Sequence, residues 1–438
     1  MPYSPLLTLP RSLRAAAMAA AVLLLAACGG GGGDTSSTPP SATLPTYNTD
    51  LSAISPGDNT NLGAGVGQPT ATGTNTAQVT IRQLTSNTTT LTANTPYVTV
   101  TVCAPGTTTC QTIPDVLVDT GSAGLRLFAS ALNTSMLSAL PTITSASGTL
   151  AACAQFASGY MWGSMRQAGV QIGGMTTTSA IPVQLMGDSA LPPAPSGCTS
   201  TGGTDFSDSF AGVAKGILGI SNLKYDCGTA CARTANNGVY FACTTSSCTA
   251  TTAAVTQQGI NPIAAFATDN NGSILALPGV PLPNGAPSTT GALIFGIGTQ
   301  ANNTPSIGTL YPLDSSGNLS MTINGAAQSG FVDSGSNGYY LALSGVSTCY
   351  SGFYCPASAF SLAASLQQAN QTYGTAQNIV IGNATTLFAT RNAALPSLGG
   401  TAAVAGFVDL GLPFFYGRSI ATGLEGTNAS APNGYLMY

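Results

Sequence analysis

Apolar runs in this chain stop on carboxylates. Val116-Leu117-Val118 is followed by Asp119-Thr120-Gly121-Ser122, and Phe331-Val332 by Asp333-Ser334-Gly335-Ser336. Each reads as a buried strand that delivers an Asp into a Gly turn, a placement that spends desolvation free energy which packing alone would not require. Downstream of each lies a short apolar pair closed by Gly: Gly216-Ile217-Leu218-Gly219 after the first, Asp409-Leu410-Gly411 after the second. Between the halves the pattern predicts hairpin strands at Asn261–Phe266, Ser273–Leu277 and Ala292–Gly296, with a turn at Asp269-Asn270-Asn271-Gly272. One helix is predicted over Ala357–Asn370, which follows a Pro and sets Phe360, Ala363, Ala364 and Gln367 on one face. The whole describes an all-β chain whose second half retraces its first.

Two matched Asp turns suggest carboxyls that meet. Like charges 4 Å apart cost about 4 kcal/mol at an effective dielectric of about 20, so a facing pair shares one proton. Such a dyad has an ionised member to take a proton from water and a protonated member to donate to a carbonyl oxygen. Composition removes the competitors. The chain has no His, which excludes Ser-His and Cys-His nucleophiles, imidazole metal sites and His proton shuttles. Acids are scarce, 14 Asp plus Glu in 438 residues with Glu425 the single Glu, so two in matched turns do not reflect abundance. With 10 Lys plus Arg and a net charge of −4, no basic surface is available for nucleic acid. The 53 Gly and 27 Pro agree with many short strands and turns.

The N-terminus reads as an address. Arg11 and Arg14 precede an apolar stretch from Ala15 to Ala27, too short to span a bilayer and suited to a signal-peptide core over residues 1–27. Its ending, Leu25-Ala26-Ala27-Cys28, resembles the bacterial lipoprotein box, which implies a lipid on Cys28; ordinary secretion is the alternative. Gly29 in place of Asp implies transfer to the outer membrane. Residues 28–75, opening with Gly29 to Gly33, are expected to form a flexible tether that holds the folded body within roughly 40 Å of the membrane. The remainder is expected to form two β lobes, 76–254 and 255–438.

Ten cysteines follow Cys28, an even number suited to an oxidising compartment. Adjacency in sequence pairs Cys103 with Cys110, Cys227 with Cys231, Cys243 with Cys248 and Cys349 with Cys355, leaving Cys153 for Cys198. The alternative is a metal cluster from the four sulfurs between Cys227 and Cys248, although paired C-x-x-C units are lacking. No metal or cofactor is expected. Ser221-Asn222-Leu223-Lys224 fits the S-x-x-K of Ser/Lys acyl enzymes without its companion motifs. Asp269 to Gly272 lacks the later Glu of a calcium loop and is read as a turn.

Taken together, the two Asp turns and their apolar-apolar-Gly partners resemble the bilobal pepsin-like aspartic peptidases, from about residue 95 to 430. Val170 to Gly174 resembles the strand after that family's flap, Gly291 to Gly298 its interlobe strand, and Phe414 to Arg418 its last core strand. The resemblance implies a pseudo-twofold fold with Asp119 and Asp333 holding the attacking water. It implies that Thr120 and Ser334 bond across the lobes, that Ser122 and Ser336 donate to the carboxylates, and that Gly121 and Gly335 permit their close approach. The chain as a whole also resembles a group of uncharacterised bacterial lipoproteins known only as a domain of unknown function.

Departures from the pattern concern the flap. Counting back from Gly173 puts Phe156 where the family carries a Tyr, with Tyr160 as a candidate replacement, and Arg126 stands where a Trp is usual. Trp162 and Tyr160 are read either as a ligand platform in the cleft or as partly buried hairpin aromatics. Asp409 is expected to cap a turn, with a third carboxylate beside the dyad as the alternative. Two functions follow: a lipid-anchored aspartic endopeptidase cutting peptides or unfolded protein, or a binding module on the same fold that holds peptide or glycan uncut. The intact turns favour the first and the altered flap the second.

Overall fold

A computed structural model describes residues 47–438 apart from 53, 55–70, 85–91, 157–158, 201–202, 210–211, 305–307, 403 and 405. The expected signal sequence, Cys28 and most of the tether lie outside the described residues. Among the described residues the chain is all-β: strands in two sheets, joined by turns and helices of no more than six residues. Among the described residues no helix is long and apolar enough to cross a membrane.

An 18-stranded sheet carries the strands up to Leu310–Pro312 together with the last two, Arg418–Gly423 and Tyr435–Met437. A nine-stranded sheet takes the strands between Leu319 and Leu410. The central hairpin Gly272–Leu277 and Thr289–Phe295 ties the two ends of the chain together, pairing with Arg418–Gly423 on one side and Thr76–Ile81 on the other. The C-terminal half therefore crosses back into the large sheet on both flanks of the small one. A division of the chain near residue 255 does not coincide with a break in sheet pairing.

The two halves do repeat one local design. In the first, Cys110–Asp119 runs parallel to Gly216–Ile220, which also pairs antiparallel with Ala123–Phe128, the strand leaving the Asp turn. In the second, Ala326–Val332 runs parallel to Phe407–Leu410, which pairs antiparallel with Tyr339–Tyr340. Val116, Val118, Leu125, Leu218, Val332 and Leu410 bury their side chains in one continuous core. Runs without alternation are what strands buried on both faces require.

Three expectations change. The segment expected to be a helix is the strand Phe360–Leu366, paired with Leu319–Ile323 and Gln377–Ile381. Phe360, Leu362, Ala364 and Leu366, spaced by two, all enter the core, so a period of two governs there. Pro262–Ala265 forms a single 3-10 turn instead of a hairpin strand, capped by the Asn261 side chain on the Ile263 amide. Part of the tether is ordered: Tyr47 stacks on Phe360 with ring centroids 4.4 Å apart, and the Ser361 amide donates to the Asn48 carbonyl at 2.8 Å. The Tyr47 ring supplies the apolar contact that docks this segment. All ten described cysteines form disulfides, in the five pairs that adjacency indicates, which removes the thiolates a metal cluster would need.

Candidate functional site

Each Asp turn is held from below by its support strand. Gly219 lies so close to the first turn that a Cβ there would come within 2.8 Å of the Ser122 and Gly124 carbonyl oxygens, and Gly411 would meet the Gly338 oxygen at 2.2 Å. Only glycine lets those strands pass at that depth. The contacts are then fastened by backbone bonds, Ser221 amide to Ser122 carbonyl at 2.9 Å and Leu412 amide to Ser336 carbonyl at 2.7 Å.

The two turns interlock. The Thr120 amide donates to Ser334 Oγ at 3.1 Å and the Ser334 amide to Thr120 Oγ1 at 2.9 Å. Each hydroxyl then donates across the junction, Thr120 Oγ1 to the Val332 carbonyl at 3.3 Å and Ser334 Oγ to the Val118 carbonyl at 2.8 Å. A hydroxyl is needed at both positions because it must accept and donate at once.

That lock brings Asp119 and Asp333 face to face, each carboxyl set against the glycine of the opposite turn. A Cβ on Gly121 would sit 2.6 Å from Asp333 Cγ, and one on Gly335 2.6 Å from Asp119 Oδ1. Asp119 accepts from the Gly121 amide at 2.8 Å and from the Ser122 hydroxyl. Asp333 accepts from the Gly335 amide at 2.7 Å and from Ser336 Oγ at 2.8 Å. Both side chains are buried, Asp119 1% exposed and Asp333 0%. Burial first, and then the neighbouring Asp119 and Asp409 charges, push the Asp333 carboxyl well above the usual carboxylate range. A carboxyl raised in this way is suited to donate a proton.

Asp409 does not cap a turn. It lies inside the strand Phe407–Leu410, opposite Phe331 and Tyr340, buried beside the pair as a third carboxyl. Arg126, also buried, reaches Ser122 Oγ with Nη1 at 3.4 Å and lies 3.9 Å from Asp226. Asp226 in turn accepts from the Tyr240 hydroxyl at 2.7 Å. Asp226 and Tyr240 carry no motif and were not legible as site residues; the one hint was an acid in an acid-poor chain, directly before a cysteine.

A cavity of about 410 Å³ opens beside the first turn, lined by Gly121, Ser122, Arg126, Gln155, Asp226 and Phe331 among others. The aromatics expected at the flap do not line it. Phe156 is buried in a separate apolar cluster with Leu117, Met161 and Ile217. Trp162 packs edge-on against Phe241 and donates Nε1 to the Pro192 carbonyl at 3.0 Å, so it is a core residue of the hairpin. Tyr160 is half-buried with its hydroxyl engaged by Asp205, so it does not replace the missing flap hydroxyl.

No curated protein matches the chain. Among solved structures it is similar to an aspartic proteinase from Irpex lacteus, with 16% identity, 83% of this chain and 96% of that chain covered, and a TM-score of 0.49. Residues 71–438 match the family described as protein of unknown function DUF3443, and the chain belongs to that family.

Proposed function

We propose that this protein is an aspartic endopeptidase that hydrolyses peptide bonds with the Asp119–Asp333 pair and an activated water. The observation that carries the reading is the facing of two buried carboxyls across turns locked by Thr120 and Ser334. A packing role would not concentrate two buried acids at one point, because each raises the cost of ionising the other.

The chemistry follows from the proton's position. Asp119 takes a proton from water as the water oxygen attacks the scissile carbonyl carbon. Asp333 gives its proton to the carbonyl oxygen, producing a tetrahedral diol without a free oxyanion. Transfer of the proton now on Asp119 to the amide nitrogen breaks the C–N bond, and the diol returns a proton to Asp333 as the acid product forms. Ser122 and Ser336 hold the outer oxygens so that the carboxyls stay in place throughout.

The substrate is a peptide or unfolded protein, held in a cavity whose lining includes Arg126, Asp226 and Glu425. The lipobox-like ending at Cys28 supports a lipid anchor in the bacterial envelope, at the outer membrane, and the five disulfides support an oxidising compartment. The second reading is a peptide- or glycan-binding module, favoured by Phe156 turned into the core and by Arg126 beside Ser122. Peptide mapping of a denatured protein from pH 3 to 7 separates them. The peptidase cuts in acid and loses all turnover on Asp119→Asn or Asp333→Asn; a wild type no better than those variants at every pH sinks the peptidase.

A further inference from the structure

Asp409 is the one buried acid of the site whose oxygens have no hydrogen-bond donor. Its side chain is 2% exposed, neither carboxyl oxygen has a partner, and no ion pair reaches it among the described residues. An apolar residue would satisfy that strand position at lower cost, since the flanking Val408 and Leu410 show what the core accepts. The groups that face it are Asp333 and Asp119 from the two turns, Ser336 from the second turn, and Tyr340 from the neighbouring strand. The Tyr340 hydroxyl is directed elsewhere, donating to Asn337 Oδ1 at 2.5 Å. Three carboxyls thus share one buried cluster, in which the Ser336 hydroxyl serves Asp333 and none serves Asp409.

The Asp333 amide donates to the carbonyl of Leu410, the residue after Asp409, at 3.1 Å, which sets Asp409 beside the second turn. We propose that Asp409 is a positioning residue of this cluster, acting on Asp333 to extend the working range of the dyad towards neutral pH. The inference rests on the peptidase reading. Ser336 Oγ has one proton, and it donates that proton to Asp333 Oδ2 at 2.8 Å, which leaves Asp409 unserved. When Asp409 ionises, it adds a second like charge beside Asp333. That charge raises the affinity of Asp333 for its proton, so the dyad keeps the single proton it needs to a higher pH. Burial first, and then the Asp119 charge, hold Asp409 itself well above the ordinary carboxylate range, offset in part by Ser336. The three groups therefore titrate together.

The test is the pH profile of kcat/KM on a denatured protein for the wild type, Asp409→Asn and Asp409→Leu. Each variant removes the charge and keeps the volume close, and the alkaline limb moves to lower pH by about one unit or more. Coincident alkaline limbs overturn the inference. A second readout does not depend on catalysis. An unfolded chain releases the Asp409 proton near pH 4 while the folded one keeps it, so the unfolding midpoint of Asp409→Asn gains on the wild type from pH 4 to 7. Parallel midpoints overturn the inference whatever the activity. A wild type that cuts nothing, with diverging midpoints, brings down the peptidase reading and leaves the buried neutral carboxyl standing.

Discussion

At the residue scale the site is a problem of distance. Gly121 and Gly335 each leave room for the opposite carboxyl, since a Cβ would come within 2.6 Å of it. Gly335→Ala is therefore expected to cost about 1–3 kcal/mol of stability through overpacking and to remove turnover by forcing the carboxyls apart. Chemical denaturation and peptide mapping of the same preparation measure the two effects. Asp333 supplies a pH prediction with a definite sign. Its carboxyl is raised well above the usual range by burial, then by Asp119 and Asp409, so the folded chain holds a proton that the unfolded chain releases near pH 4. The stability from this group is complete below that value and declines as pH rises towards the folded one. Asp333→Asn removes that decline, and its unfolding midpoint is expected to rise relative to the wild type between pH 4 and 7. Equal pH dependence of the two would show that Asp333 does not carry the proton.

At the element scale, four strands and two turns act as one unit because Thr120 and Ser334 bond both ways across the junction. Removing either hydroxyl leaves a buried amide and its partner unpaired, a loss of about 1–3 kcal/mol for Thr120→Ala or Ser334→Ala. The two hydroxyls make separate bonds but pin the same junction, which the first removal already loosens, so the double variant is expected to fall short of additivity by about 0.5–3 kcal/mol, measured in a double-mutant cycle. Additive losses would mean that the turns are held independently. The same scale shows where pattern reading failed. Around Phe360 the residues Phe360, Ala363, Ala364 and Gln367 satisfy a helical period, while Phe360, Leu362, Ala364 and Leu366 satisfy a period of two. Ala fits either, and vacant edges on the strands Leu319–Ile323 and Gln377–Ile381 decided between them. Phe156 failed for a related reason: a strand residue's position in sequence does not say which face it takes, and its ring entered the cluster around Leu117 and Ile217.

At the scale of the whole molecule, ten cysteines in five bridges constrain the unfolded chain, each contributing about 2–4 kcal/mol. Thiol titration of the unfolded, unreduced mature protein is expected to find no free cysteine among the ten, and four free thiols with stoichiometric zinc would contradict the bridges. Tyr47 docks its segment on the C-terminal part of the chain, with its ring on Phe360 and its hydroxyl donating to the Ser344 carbonyl at 2.9 Å.

What the sequence determined by itself was local or repeated. The Asp turns, their hydroxyl and glycine neighbours, the apolar-apolar-Gly supports and the cysteine pairs are each written within a few residues, and a repeated motif announces its partner. A chain without His and with few acids also leaves little other chemistry to choose from. The tertiary structure decided what depends on distant neighbours. Asp409 sits in a strand that reads as an ordinary support, and only the parallel pairing with Ala326–Val332 brings it to Asp333. Arg126, Asp226 and Tyr240 meet only because the Ala123–Phe128 strand, the segment after the first support strand and the Tyr240–Cys243 strand converge beside the first turn. Which side chains share a buried site depends on how the strands pair, and pairing is settled by burying the whole core at once.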